Sequence, residues 1–240
     1  MNPICFLDCE FTSLIEPELL SLGLITYHGI EQYVELDVQS DVGKARQKVS
    51  SDFVRSGVLD QFGLFPAYVC APWEMGRRVG EWLLGFAESA ASRVEVAFDY
   101  SVDYELMEYA IRDCGLWDRA REIIRPVDIC RLTGTIEGEL AAEECFRELS
   151  RHIPPLSRHH ALADAWALRH CYLAAKRAAL EIAQKTSGAR EKLGISSIEV
   201  VDGLMSVLEQ RRLRQIVQAP LGQIVQQAVG QFGEPKEGES

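Results

Sequence analysis

Apolar and polar positions along the chain fall into blocks of two kinds. Ile4-Cys5-Phe6-Leu7 is an unbroken apolar run, read as a strand buried on both faces that ends at Asp8-Cys9-Glu10. Leu19 to Tyr27 is a second such run, and His28-Gly29 supplies a turn after it. Residues 32–37 then alternate polar and apolar side chains, as a half-buried third strand does. Helical spacing takes over next, in a polar helix over 41–56 and an amphipathic one from Met75 to Ala91. A fourth strand is read over Val94–Phe98, a helix from Val102 to Cys114 with a stop at Gly115, and a fifth strand from Ile123 to Ile129. Pro154-Pro155 closes a loop before a long helix from His160 to Lys185. Three strands in a meander, followed by strands alternating with helices, predict an α/β domain on a mixed five-stranded sheet.

Beyond residue 185 the pattern changes. Ser187-Gly188 and Gly194 mark a hinge, after which Ile198, Val201, Leu204 and Leu208 keep helical spacing. Ile216, Val217, Leu221, Ile224 and Val225 continue it past Pro220, which should kink or divide the helix. Arg211, Arg212 and Arg214 form a basic cluster there, read either as a solvated helix face or as a contact for RNA. The expected division is a catalytic domain over 1–185, a helical extension over 186–232 and a polar, disordered tail over 233–240.

Composition narrows the class without naming a function. At 240 residues, 47% hydrophobic and 25% charged, the chain is an ordinary globular protein rather than a disordered or fibrous one. No apolar run reaches membrane-spanning length, and the first residues lack a signal peptide's basic start, so a cytoplasmic protein that does not enter membranes is expected. The seven cysteines contain no Cys-x-x-Cys pair, which argues for reduced, buried thiols over disulfides or a zinc ribbon. Net charge is −11, and residues 1–150 hold 13 basic against 27 acidic residues. Such a balance disfavours a surface that grips long nucleic acid. It leaves room for an enzyme that draws a strand end to bound metal ions, whose charge acts locally.

The chain has no Gly-x-Gly-x-x-Gly, no Walker-type loop and no Gly-x-Ser-x-Gly elbow. Its chemistry lies in carboxylates at element ends. Asp8 and Glu10 are two apart on a strand, so both side chains leave the same face. Two such charges ~4 Å apart repel by about 4 kcal/mol at an effective dielectric of 20, and a hard divalent cation relieves that cost. The plainer reading makes them exposed residues entering a loop. Asp103 sits in the first turn after the fourth strand, where it either faces the crevice at the strand end or simply complements the helix dipole. His159 precedes the last long helix and Asp164 lies in its first turns, with Ala161, Ala163 and Ala165 keeping that helix slim.

Taken in order, Asp8-x-Glu10, Asp103 and His159-x-Ala161-x-x-Asp164-Ala165 resemble the DEDDh 3′–5′ exonuclease superfamily, the group of oligoribonuclease, ribonuclease T and the proofreading subunits of DNA polymerases. The resemblance spans about residues 4–180. Within it, Phe6-Leu7-Asp8-Cys9-Glu10-Phe11-Thr12 followed by Glu18-Leu19-Leu20-Ser21-Leu22-Gly23 is most similar to the small mycobacterial-type 3′–5′ exoribonucleases. The resemblance implies a ribonuclease H-like fold, two divalent cations (Mg²⁺ or Mn²⁺), often a homodimer, and single-stranded RNA or DNA 3′ ends as partners. It implies metal binding by Asp8, Glu10, Asp103 and Asp164, a general base at His159, and substrate contact at Thr12. Phe11, beside Glu10, is read either as a stacking surface for the terminal base or as a core residue. Three positions depart from the family pattern: Phe11 and Ser13 stand where Thr and Gly are usual, and Asp99 where an asparagine is frequent. The expected activity is a two-metal 3′–5′ exoribonuclease, with single-strand DNA hydrolysis and a non-catalytic nucleic-acid-binding module as rivals.

Overall fold

In the computed structural model, which describes residues 3–185, six strands form one mixed sheet in the order β4-β3-β2-β1-β5-β6. The strands are β1 (Ile4–Phe11), β2 (Leu19–Thr26), β3 (Glu31–Leu36), β4 (Val69–Cys70), β5 (Val94–Phe98) and β6 (Ile124–Asp128). β1, β2 and β3 are antiparallel neighbours, whereas β5 lies parallel to β1, β6 to β5 and β4 to β3. The sheet thus has one strand more than the five expected from the pattern. β4 is only two residues long, too short to show a period.

Among the described residues, seven α-helices flank the sheet: α1 (Asp41–Val49), α2 (Pro72–Ala90), α3 (Ser101–Asp113), α4 (Trp117–Ile123), α5 (Cys130–Thr133), α6 (Ile136–Leu149) and α7 (Ala161–Lys185). Period two along β1 sorts its side chains between two cores. Cys5, Leu7 and Cys9 join Met75, Val79 and Leu83 of α2 and Met107 and Ile111 of α3 on one face. Ile4 and Phe6 point the other way, packing with Ala165 and Leu168 of α7. Asp8 and Glu10 continue this second row.

Several expectations need correction. β1, expected to end at Asp8-Cys9-Glu10, runs one residue further to Phe11, with a register shift between Glu10 and Phe11. The helix expected over 41–56 ends at Val49, because Ser50 turns its hydroxyl back to the Arg46 carbonyl and the Ser51 N–H leaves to bond the Thr12 carbonyl. Helices α4, α5 and α6 had no counterpart in the pattern reading. Five cysteines are buried, Cys114 is partly covered, and Cys130 is exposed at the start of α5. No helix among the described residues is long and apolar enough to cross a membrane. The helical extension and tail expected over 186–240 lie outside the described residues.

Candidate active site

α7 crosses the sheet at unusually short range, and Gly23 is the reason. A Cβ at Gly23 would come within 2.4 Å of the Ala161 carbonyl oxygen and 2.7 Å of the Leu162 Cα. With only a hydrogen there, the first turn of α7 lies directly on β2. Ala161, Ala163 and Ala165 are fully buried in the contact. Gly23 also pairs in register with Asp8. The same close approach therefore carries the start of α7, with Asp164, to the strand that bears Asp8 and Glu10.

The result is an open cleft of about 640 Å³, lined among others by Asp8, Glu10, Phe11, Asp103, His159 and Asp164. Six of the seven residues singled out from the sequence meet here. Thr12 does not: its side chain is 1% exposed and accepts a hydrogen bond from the Glu18 N–H at 3.1 Å. It closes the base of the loop between β1 and β2 and is not among the residues lining the cleft. Asp103, only 3% exposed, enters from the first turn of α3, and Cys9 ties that turn to β1 through a contact to the Asp103 carbonyl at 3.5 Å.

His159 stands in the left-handed backbone region at φ 64°. That conformation costs an L-residue roughly 1 kcal/mol, and neighbouring contacts hold it. Its N–H donates to Asp164 Oδ2 at 2.7 Å, so the residue before α7 and the carboxylate within it fix each other. Gln61 Nε2 donates to the carbonyls of Arg158 and His159 at 2.8 and 3.1 Å, and its Oε1 accepts from Ser157. Phe53 sets its ring edge-on to the His159 imidazole at 4.7 Å. Glu10, His159 and Asp164 each offer a ligand atom, and these atoms lie within 4.8 Å of one another.

Burial and mutual repulsion dominate the electrostatics. Burial, then the charges of Asp164, Asp103 and Glu10, push the Asp8 carboxyl well above the usual range. Burial, the charges of Asp164 and Asp103, and a hydrogen bond with Asp164 push Glu10 up to about 9. Burial and Asp99 push Asp103 up to about 8. Asp164 is pushed up to about 7 by burial, which outweighs its hydrogen bond from His159 and the charge of Arg158. An all-oxygen donor set that suffers from its own charge is what a hard divalent cation satisfies. The donor chemistry of Glu10 and Asp164, whose ligand atoms lie together with that of His159, suits such a cation, and Asp8 and Asp103 line the same cleft. His159 moves the opposite way, lowered by burial and by Arg158, which favours the neutral imidazole that can accept a proton.

Pattern reading missed part of the site. Asp99 lines the cleft, hydrogen-bonded to the Thr133 side chain, with its carboxyl raised by burial. It was noted only as a departure. α6 forms one wall through Glu139, Ala142, Glu143 and Phe146. Its signal was present: Thr135 caps the helix by accepting from the Gly138 N–H, and Gly138, Ala142, Cys145 and Leu149 follow at i, i+4, i+7 and i+11. Tyr100 stands beside Phe11 at the mouth, ring centroids 6.3 Å apart and planes within 24°. His160, by contrast, leaves the cleft. It is 2% exposed, stacks on Tyr33 at 4.7 Å, and neither ring nitrogen has a hydrogen-bond partner. Neither a protein-family model nor a curated protein matches this chain.

Proposed function

We propose that this chain is a metal-dependent 3′–5′ exonuclease of the DEDDh type, on a ribonuclease H-like sheet, that hydrolyses phosphodiester bonds from the 3′ end of single-stranded RNA. One observation carries the reading: carboxylates from β1, α3 and α7, far apart in sequence, line one open cleft together with His159. Divalent cations, Mg²⁺ or Mn²⁺, held by Asp8, Glu10, Asp103 and Asp164 would supply an activated water and neutralise charge on the leaving oxygen. His159 takes the proton from that water, and its lowered pKa keeps it in the base form at working pH. Its N–H to Asp164 and the clamp from Gln61 on its carbonyl fix the His159 backbone, with an imidazole nitrogen within 4.8 Å of carboxylate oxygens of Glu10 and Asp164. Phe11 and Tyr100 present aromatic faces at the cleft mouth, where a terminal base can stack for about 1–3 kcal/mol. The choice of RNA rests on the resemblance of residues 6–12 and 18–23 to small exoribonucleases.

The test is digestion of one oligomer, labelled at its 3′ or its 5′ end, with Mg²⁺, Mn²⁺ or EDTA. Mononucleotides released from the 3′ label, only with metal, are expected. A DNA oligomer of the same sequence cut faster would move the substrate to DNA. A circular RNA cut efficiently would make the activity endonucleolytic, and no cleavage with either metal would remove the reading.

A further inference from the structure

Seven carboxylates line the cleft, and among its described lining residues Arg158 carries the only permanent positive charge. A phosphodiester strand approaching this surface meets net negative potential, which a divalent pair offsets only partly. Arg158 sits directly before His159, and its charge is felt by both His159 and Asp164. Its guanidinium lies over the Phe146 ring at 4.4 Å and pairs with Glu143 of α6. The two side chains of that pair are 52% and 60% exposed. Exposed ion pairs of this kind are worth little, so exchanging the Glu143 carboxylate for another oxyanion costs the protein almost nothing. The Phe146 face, meanwhile, keeps the planar fork at the cleft wall through stacking, whichever anion it binds.

We propose that Arg158 is a substrate-positioning residue: it leaves Glu143 to take a backbone phosphate of the bound strand, and Glu143 holds it in reserve when the cleft is free. This rests on the nuclease reading above. A guanidinium matches two phosphate oxygens at once, which a lysine cannot do. Because Arg158 precedes His159 on a backbone fixed by Gln61, a phosphate held by Arg158 is registered against the imidazole.

The experiment compares the full chain with its Arg158→Gln, Arg158→Lys and Glu143→Gln variants on a single-stranded RNA oligomer with Mn²⁺. Loss of one charge-assisted contact should raise KM about tenfold in Arg158→Gln while kcat stays within about threefold. The slope of log K against log salt should become shallower by about 0.7, one phosphate's share. Arg158→Lys should recover the salt slope but only part of the KM. Glu143→Gln, which frees the guanidinium, should leave KM unchanged or lower it. An active wild type with the same KM and salt slope as Arg158→Gln overturns the assignment of Arg158 alone. So does a Glu143→Gln variant as impaired as Arg158→Gln, since that would make the ion pair purely structural. A wild type inactive on both RNA and DNA takes away the nuclease reading and this inference with it.

Discussion

Asp8 and Glu10 share a strand face with Ile4 and Phe6, so two residues that want water continue a row that wants none. The protein accepts that conflict only where the sheet opens into the cleft. Asp8→Asn and Asp164→Asn each remove one member of a repelling group. Both variants should lose nuclease activity. Without metal, their melting temperatures should equal or exceed that of the wild type. Either variant running near wild-type rate at saturating Mn²⁺ would disprove the assignment of its carboxylate. The adjacent histidines divide differently. His159→Ala should lower kcat by about 10²–10⁴-fold and leave stability nearly unchanged. His160→Ala should act on stability, by about 2–4 kcal/mol in denaturant melts, because it empties a packed site against Tyr33 and Phe65. His160→Phe should be neutral or stabilising, since it replaces two buried nitrogens that have no partner. A rate loss in a well-folded His160→Phe larger than that of His159→Ala would reverse the roles.

At the scale of elements, the contact between β2 and the first turn of α7 decides where the site is. Gly23→Ala adds one methyl against backbone atoms that cannot move without α7. It should cost about 1–3 kcal/mol and should reduce activity beyond what the fraction unfolded explains, because Asp164 and His159 ride on the displaced turn. Full activity in a folded Gly23→Ala protein would show that α7 can shift without consequence. The strands and the helix bearing Asp164 were legible because they carry long apolar runs. β4 was not, because two residues show no period. α6 was missed although its Thr135 cap and its spacing were present, since its charged face dilutes the apolar rows. That Asp8, Glu10, Asp103, His159 and Asp164 share one cleft was legible from acids and a histidine placed at strand ends and helix starts. Thr12 was misplaced, because one-letter order cannot show that its hydroxyl closes a loop to Glu18. Asp99 and Arg158 reach the cleft through packing between elements, which no local pattern records.

For the molecule as a whole, the acid cluster sets how stability follows pH. Glu10, Asp103 and Asp164 hold protons more tightly folded than unfolded, with values of about 9, 8 and 7. Their contribution is fully present below the ordinary carboxylate range and is lost as pH rises through those values. Burial lowers His160 to about 4, so its effect runs the other way: stability falls as pH drops from about 6.5 toward 4. Metal-free protein should therefore melt highest at mildly acidic pH, and roughly 5 °C or more lower by pH 8.5. Saturating Mn²⁺ should flatten the alkaline fall. A metal-free melting curve that rises from pH 6 to 8.5 would contradict the cluster's electrostatics. Tyr100, which lines the same cleft beside Phe11, adds a consequence of another kind. Terbium is a hard, oxygen-seeking ion that glows green when a nearby phenol absorbs ultraviolet light and passes the energy on. On the proposed reading, an ion held by the acids of this cleft would be lit by Tyr100, which lines the same space. Emission should appear on titration with terbium, dim in Tyr100→Phe, and fade as Mn²⁺ displaces the lanthanide, reporting occupancy while no substrate is present.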